Sequence, residues 1–276
     1  MKNKFNLLLL GAMLLSTAVL GSCGGPDLDG EKVNYAITVS SINGKKRLSN
    51  VEVCLYAGRR LIASGVTGGS GTATISTVPY NYTVKFKNLP DSYLKNTTFK
   101  TEGDKYSYVY KLPSTVPNKH APDGYVYNKG DVIYDFDVID SDGKNFSFYD
   151  EFQKYDMFLI NFFYVDCYYC QLEFQILKEV IKGYEDKVGI ICIDVLGSDT
   201  NNYINQLKAA YELPFRMAKE GDSNLVAAFG GIPGTPSTIV VDRYGLYCEF
   251  IKGYYPDPDF FTEMFIEYTM PSYVPR

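Results

Sequence analysis

Residues 157–170 read MFLINFFYVDCYYC, an apolar run of strand length that leads into a Cys-x-x-Cys pair. Apolar residues at helical spacing follow, and they predict an amphipathic helix with one buried face. These residues are Leu172, Ile176, Leu177, Val180, Ile181 and Tyr184. Cys167 is therefore expected at a helix N-terminus, where unpaired N–H groups and the macrodipole favour a thiolate. A thiolate with a second thiol, Cys170, one turn away can carry out disulfide exchange.

Two other interpretations of the pair are open. A structural zinc site needs a second pair of ligands, and the only histidine of the chain is His120. Three further cysteines of the folded part are isolated in sequence: Cys54, Cys192 and Cys248. A purely structural disulfide is the other interpretation, but such bridges rarely join i to i+3 across a strand–helix junction. Redox exchange is favoured over both, and neither a metal nor a cofactor is expected.

The beginning of the chain has the pattern of an export signal, predicted to span residues 1–22. Lys2 and Lys4 precede an apolar stretch over residues 5–20, which is short for a membrane span of about 20 residues. The sequence then reads Leu-Gly-Ser-Cys, ending at Cys23. This resembles a bacterial lipobox, with cleavage before the cysteine and lipid added to its thiol. An ordinary signal peptide with an incidental cysteine is the alternative.

Residues 23–31 are rich in glycine and polar side chains and are expected to form a flexible tether. No later segment is long and apolar enough to span a membrane. The expected protein is thus a lipid-anchored body on the extracytoplasmic side of the plasma or outer membrane, where disulfides persist. The net charge of −5 is mild and no basic run is present, which argues against nucleic acid as a partner.

Residues 32–112 predict an all-β domain. Short runs rich in β-branched and aromatic residues are separated by Asn43-Gly44 and by the glycine-rich residues 68–71. The runs are residues 35–39, 51–56, 73–75 and 82–86. Their order and turn chemistry resemble the transthyretin-like or Cna-B-like sandwiches of bacterial surface proteins, which are usually spacers or binding modules. No catalytic set of residues stands out here, and Cys54 is predicted to be a small buried residue.

Residues 113–129 are rich in Pro, Asn, Gly and Tyr and are predicted to be an exposed linker, with His120 open to solvent. Over residues 130–276 strands alternate with helical segments, which predicts an α/β fold with a mixed sheet. The predicted strands are residues 136–139, 146–148, 157–163, 188–195, 238–241 and 247–251. The predicted helices are the one after the cysteine pair and residues 202–211, 223–229 and 258–268.

Three stretches of this second domain carry a family pattern. Residues 130–144 contain a Gly-Asp opening and an Asp-Gly-Lys turn, residues 161–170 read NFFYVDCYYC, and residues 231–242 read GIPGTPSTIVVD. Together they resemble the thioredoxin superfamily, specifically the TlpA/ResA-type lipoprotein thiol–disulfide oxidoreductases and the related AhpC/TSA domain. In a thioredoxin sheet Cys192 and Cys248 fall on non-adjacent strands, so no disulfide between them is expected.

The resemblance implies a thioredoxin fold with a cis peptide bond before Pro236. That proline would place its loop against the cysteine pair and offer a substrate chain the backbone of Thr235. Substrate contact is also assigned to Tyr168 and Tyr169, which lie between the two cysteines.

Glu173 matches the glutamate that the family carries after its cysteine pair, where it accepts or relays a proton for the buried second thiol. It lies three residues after Cys170, on the same helix face. An ordinary surface glutamate is the alternative. The sequence departs from the family at Asp166 and Tyr169, which replace the usual Trp and Pro. A carboxylate beside Cys167 raises the pKa of its thiol, which fits a reductant better than a strong oxidant.

The leading hypothesis is an envelope thiol–disulfide oxidoreductase that reduces exported proteins, with Cys167 as nucleophile and Cys170 as resolving thiol. Its partners would be a disulfide-bearing exported protein and a membrane thiol that donates electrons. A peroxiredoxin, which shares the AhpC/TSA fold, is disfavoured because Tyr164 stands where peroxiredoxins place a Thr. A third hypothesis is a surface-binding lipoprotein whose β domain carries the function beside a redox-silent thioredoxin-like domain.

Overall fold

The structure is a computed structural model, and it describes residues 29–273 and 275, except residues 96 and 103. The predicted signal peptide and the lipidation site at Cys23 lie outside the described residues. An all-β region comes first along the chain and an α/β region follows it. Among the residues described, no helix combines the length and the apolarity needed to cross a membrane.

The all-β region contains seven strands within the described residues. They are β1 (Val33–Ser41), β2 (Glu52–Ala57), β3 (Arg60–Val66), β4 (Thr72–Thr77), β5 (Thr83–Lys87), β6 (Phe99–Lys100) and β7 (Ser107–Leu112). One sheet has the order β4-β1-β7 and the other β3-β2-β5-β6. Alternate residues of β1 (Tyr35, Ile37 and Val39) share one core with Val53 and Leu55 of β2. The two sheets therefore pack around a common apolar layer.

The four predicted strands of this region correspond to β1, β2, β4 and β5, and two of them, 51–56 and 82–86, begin one residue before the observed strand. Sequence reasoning missed β3, β6 and β7. The reason is clear for β3, since none of its residues is fully buried and its sequence shows no apolar face. For β6, the strand is only two residues long, too short for any periodicity.

The α/β region opens with a hairpin of β8 (Asp137–Ile139) and β9 (Asn145–Ser147) and is built on a five-stranded sheet. Its strands are β10 (Met157–Phe163), β11 (Val188–Asp194), β12 (Arg216–Lys219), β13 (Ser237–Asp242) and β14 (Tyr247–Lys252). Its helices are α1 (Phe148–Phe152), α2 (Tyr168–Val180), α3 (Asn201–Ala210), α4 (Leu225–Ala228) and α5 (Pro258–Thr269). The strand order is β12-β11-β10-β13-β14.

The central strand β10 pairs in parallel with β11 and antiparallel with β13, so the sheet is mixed, as predicted. Thioredoxin-type topology is confirmed at the level of fold class. Two elements were not predicted from the sequence because they are short: α1 has five residues, and β12, at the sheet edge, has four.

Each face of the five-stranded sheet carries its own core. Successive side chains of a strand point to opposite faces. Leu159 and Phe163 of β10 therefore pack with Phe174 of α2 and Phe261 of α5. Phe158, Ile160 and Phe162 face the other way, into a second cluster built largely of aromatic side chains. The same alternation places residue 161 on the face of the sheet that α2 covers.

The segment over residues 113–129 is not the exposed linker that its composition predicted. Val116 is fully buried and Tyr127 almost so, and both belong to the aromatic core of the second region. The Tyr127 ring stacks on Phe229 with 5.0 Å between ring centroids. Apolar side chains among the turn residues cover a core face, and turn composition does not reveal this. His120 is exposed as expected, with its Nε2 atom 2.8 Å from Oδ2 of Asp137.

Candidate active site

Cys167 and Cys170 form a disulfide with an S–S distance of 2.05 Å at the start of α2. Cys167 is the N-cap residue, and its Sγ accepts a hydrogen bond from the N–H of Cys170 at 3.1 Å. The end of the helix therefore offers both a donor and the positive end of the macrodipole to this sulfur. Cys167 is 3% exposed and Cys170 is fully buried, so Cys167 is the more accessible residue of the pair.

The predicted proline loop lies against this disulfide. The Thr235–Pro236 peptide bond is cis, immediately before β13. Thr235 Oγ1 lies 3.5 Å from Cys167 Sγ. The loop is held in place because the Gly253 N–H donates to the Pro236 carbonyl at 2.9 Å and the Ser237 hydroxyl donates to the Gly234 carbonyl at 2.7 Å. The structure thus brings together two motifs that are far apart in the sequence.

An exposed aromatic surface adjoins the pair. Tyr168 is 66% exposed and Tyr169 is 57% exposed, which suits side chains assigned to substrate contact. The Tyr169 ring lies 5.8 Å from that of Tyr254, centroid to centroid. Tyr254 comes from the segment between β14 and α5, and sequence reasoning did not include it. Asp166 is also exposed, so solvent weakens the effect of its carboxylate on Cys167.

Glu173 is buried on the α2 face that packs against the sheet, with only 1% of its surface exposed. The alternative of an ordinary surface glutamate is therefore wrong. Burial raises the pKa of its carboxyl to about 8, although a hydrogen bond from Asn161 acts in the opposite direction. Cys170 lies one helical turn earlier on the same face, so the two groups are neighbours along the helix.

Asn161 is the residue of this site that sequence reasoning missed. It is fully buried in β10, and its Nδ2 donates to Glu173 Oε1 at 2.9 Å and to Thr238 Oγ1 at 2.8 Å. It is the only polar side chain in the run MFLINFF, and that interruption is the signal that could have singled it out. Cys192 lies opposite it on β11 and stays a neutral thiol, because burial raises its pKa.

The chain just before Cys167 is held from both sides. The Val165 N–H donates to Asp199 Oδ2 at 2.8 Å, and Gln171 Nε2 donates to the Val165 carbonyl at 2.9 Å. Asp194, at the end of β11, has a pKa raised to about 7 by burial and by neighbouring Asp199. The contacts of Val165 therefore fix the backbone two residues before Cys167.

One group in the described part of the chain has the composition of a metal site. A ligand atom from each of His120, Asp135 and Asp137 lies within 4.8 Å of the others. The Asp135 carboxylate already accepts hydrogen bonds from the Tyr149 N–H at 2.7 Å and from the Ser147 hydroxyl at 3.2 Å. The group does not include the cysteine pair, and its contacts are those of a carboxylate at the start of α1 beside an exposed hydrogen bond between His120 and Asp137.

Residues 129–246 match the model of the AhpC/TSA family. No curated protein matches the chain. Among solved structures, a thioredoxin-family thiol:disulfide interchange protein from Chlorobium tepidum is 20% identical, with 52% of this chain and 100% of that chain covered and a TM-score of 0.46. The thioredoxin domain of a thiol-disulfide oxidoreductase from Bacteroides vulgatus is 16% identical, with 52% and 99% covered and a TM-score of 0.43.

A secreted disulfide oxidoreductase from Mycobacterium tuberculosis is 17% identical, with 47% of this chain and 93% of that chain covered and a TM-score of 0.41. At such identities and scores these are likenesses only. The family match and the disulfide at the start of α2 support a thioredoxin-like redox enzyme.

Proposed function

We propose that this protein is a lipid-anchored, extracytoplasmic thiol–disulfide oxidoreductase that reduces disulfides of exported proteins. The observation that carries the proposal is the Cys167–Cys170 pair at the start of α2, with Thr235 Oγ1 of the neighbouring loop 3.5 Å from Cys167 Sγ. The buried carboxyl of Glu173 completes the set of groups that the chemistry needs.

The first step is attack by Cys167 in the dithiol form of the enzyme. Cys167 is the more accessible residue of the pair, and its sulfur receives the Cys170 N–H at the helix terminus. A bond forms between the Cys167 sulfur and one substrate sulfur, and the substrate S–S bond breaks. The other substrate sulfur leaves as a thiolate and takes a proton from solvent. The product is a mixed disulfide between enzyme and substrate.

The second step releases the substrate. Cys170 gives its proton to the Glu173 carboxylate and attacks the Cys167 sulfur, which forms the disulfide seen in the structure. A carboxyl with a pKa of about 8 is basic enough to take a proton from a thiol, whose ordinary pKa is about 8.5. The second substrate sulfur leaves and is protonated, so two electrons and two protons have passed to the substrate. A membrane thiol donor then returns the pair to the dithiol.

Reduction is the proposed direction because of the charges near Cys167. Asp166 precedes it directly, and Asp199 binds the backbone two residues earlier. Negative charge near a thiol disfavours its thiolate, which leaves the dithiol form less stabilised than in a strong oxidant. A less stabilised dithiol gives up its electrons more readily.

The location rests on the sequence before the described residues. The lipobox-like stretch ending at Cys23 would receive the lipid once residues 1–22 are removed, and residues 23–31 would tether the body to the membrane. A Cys23→Ala substitution should then release the protein from the membrane fraction. Retention of that variant in the membrane would contradict the lipid anchor.

The test of the enzyme function is reduction of insulin disulfides, with dithiothreitol as the electron source. The wild type should accelerate the reaction, and Cys167→Ser, which changes one atom of the nucleophile, should fall to the uncatalysed rate. A wild-type protein that reduces no disulfide would overturn the proposal. The hypothesis of a binding lipoprotein that acts through its β region would then replace it.

A further inference from the structure

The buried amide of Asn161 connects three elements at the floor of the candidate active site. The residue belongs to β10, its first partner Glu173 to α2 and its second partner Thr238 to β13. All three side chains are at most 1% exposed. Both hydrogen bonds of the amide nitrogen go to side chains of other elements, and these two contacts define its orientation.

The Asn161 amide donates a hydrogen bond to only one of the two oxygens of the Glu173 carboxyl. Its Nδ2 donates to Oε1 at 2.9 Å. The other oxygen, Oε2, is buried and has no hydrogen-bond partner among the described residues. Because Oε1 is already occupied by a donor, Oε2 is the oxygen that can gain or lose a proton without breaking this contact.

Few other groups act on the Glu173 carboxyl. Burial raises its pKa, while the hydrogen bond from Asn161 and, more weakly, the nearby Tyr255 backbone lower it. The thiols that share its surroundings are Cys170 on α2 and Cys192 on β11, and the latter stays neutral. Among the described residues no cation lowers the pKa of Glu173, so the Asn161 amide is the main group that stabilises its ionised carboxyl.

We propose that Asn161 is a positioning residue for proton exchange between Cys170 and Glu173. Its amide, oriented by Thr238, holds Oε1 and leaves Oε2 to take the proton when Cys170 attacks the mixed disulfide. Within the described residues, the side-chain hydrogen bonds of Asn161 go to Glu173 and Thr238 and not to a cysteine sulfur, so its role is to position the carboxyl. This inference rests on the proposed proton transfer to Glu173.

The direct test is a titration of the Glu173 side-chain carboxyl by ¹³C NMR in the oxidised protein. Asn161→Leu removes the donor with little change of volume, so the pKa of Glu173 should rise by about one pH unit or more. The pH at which the resolving step reaches half its maximal rate should rise by the same amount. An unchanged pKa in a folded variant would overturn the inference, as would a raised pKa that leaves the rate profile where it was.

A second pair of variants keeps the test decisive if Asn161→Leu does not fold. Thr238→Val removes the hydroxyl that orients the amide and should raise the pKa of Glu173 by a smaller amount, whereas Thr238→Ser retains the hydroxyl and should restore it. The control is Asn205→Leu, a half-buried asparagine whose amide donates to the Ser141 carbonyl at 2.8 Å. The control substitution should leave the pKa of Glu173 unchanged. Equal changes of this pKa in Thr238→Val and Thr238→Ser would contradict the inference.

The carboxyl titration needs no substrate, so the two proposals fail in different ways. A wild type that reduces no disulfide ends the proposed function, whatever the titration shows. A normal insulin reductase whose Glu173 titrates identically with and without the Asn161 amide ends only the positioning role.

Discussion

The polar side chains buried in the β region are hydroxyls, whereas those buried beneath the cysteine pair include a carboxyl and an amide. In the β region the Tyr82 hydroxyl donates to the Val78 carbonyl at 2.9 Å and the Thr67 hydroxyl donates to the Leu48 carbonyl at 2.6 Å. Beneath the pair lie Glu173 and Asn161, each with one oxygen that has no partner among the described residues. Neutral hydroxyls that have hydrogen-bond partners stabilise a fold equally at any ordinary pH. A buried carboxyl, in contrast, makes the free energy of unfolding depend on pH.

Burial of a carboxyl is not by itself a sign of chemistry, and Asp242 makes the distinction clear. It is fully buried, but its carboxylate accepts hydrogen bonds from the backbone of Tyr244 and Leu246 and from the Tyr273 hydroxyl, at 2.9–3.1 Å. These contacts shape the turn between β13 and β14. Glu173 has far fewer donors and lies one turn from a redox sulfur, and this combination points to proton transfer.

The largest effect is expected from replacing the two cysteines one at a time, because Cys167 and Cys170 are assigned different roles. Cys170→Ala removes the resolving thiol, so it should accumulate mixed disulfides with partner proteins, seen as high-mass bands on non-reducing gels. Cys167→Ala should trap few, because the remaining thiol is fully buried inside the first helical turn. Equal trapping by the two variants would show that the assignment of nucleophile and resolving thiol is wrong.

Two fragments that begin at different residues test whether the α/β region folds independently of the β region. A fragment of residues 113–276 should fold and keep the redox activity. A fragment of residues 130–276 loses Val116 and Tyr127 from the aromatic core, which should lower its free energy of unfolding by about 3–5 kcal/mol. Urea unfolding measures both. Loss of activity in the longer fragment would show that the β region contributes to the site.

Much of the fold could be predicted because it depends on local patterns. The apolar run of β10 and the helical spacing of α2 are visible within about 25 residues of sequence, and the two family motifs located Cys167 and Pro236. Asn161 could not be assigned a role, since its function depends on Thr238, which is 77 residues away. The packing of residues 113–129 was missed for the same reason, because turn residues do not reveal which core their few apolar neighbours will cover.

The pH dependence of stability distinguishes the buried carboxyl from the buried hydroxyls. Burial raises the pKa of Glu173 from an ordinary 4.5 to about 8, so the folded protein holds this proton more tightly than the unfolded chain does. Its contribution to stability is therefore complete below about pH 4.5 and is lost as the pH rises through about 8. Glu173→Gln removes this slope and should gain stability relative to the wild type, by up to a few kcal/mol, on the alkaline side.

Urea unfolding of the oxidised protein at several pH values measures this difference. The control is Glu179→Gln on the same helix, where an exposed carboxylate pairs with Lys182 and has its pKa lowered instead. That variant should follow the wild-type curve closely. Parallel curves for wild type and Glu173→Gln would mean that Glu173 is not a buried titrating group.

The smallest expected effect lies in the β region. Tyr82→Phe removes a buried hydroxyl that bonds both the Val78 carbonyl and Thr77 Oγ1, and should cost about 1–2 kcal/mol at every pH. Insulin reduction should stay at the wild-type rate. Tyr56→Phe, at a half-exposed ring beneath Lys85, is the matched control and should cost less. A change of redox rate in Tyr82→Phe would show that the two regions are coupled.

The reduction potential of the Cys167–Cys170 pair, measured by equilibration with glutathione or dithiothreitol buffers, tests the central claim most directly. A reductase of exported disulfides should have a potential near that of thioredoxin, roughly −270 mV. The Asp166→Asn variant should shift the value toward a more oxidising potential, because the thiolate of Cys167 would then be less disfavoured. A wild-type potential near roughly −120 mV would identify an oxidant and contradict the proposed direction. A pair that does not equilibrate at all would contradict the redox function itself.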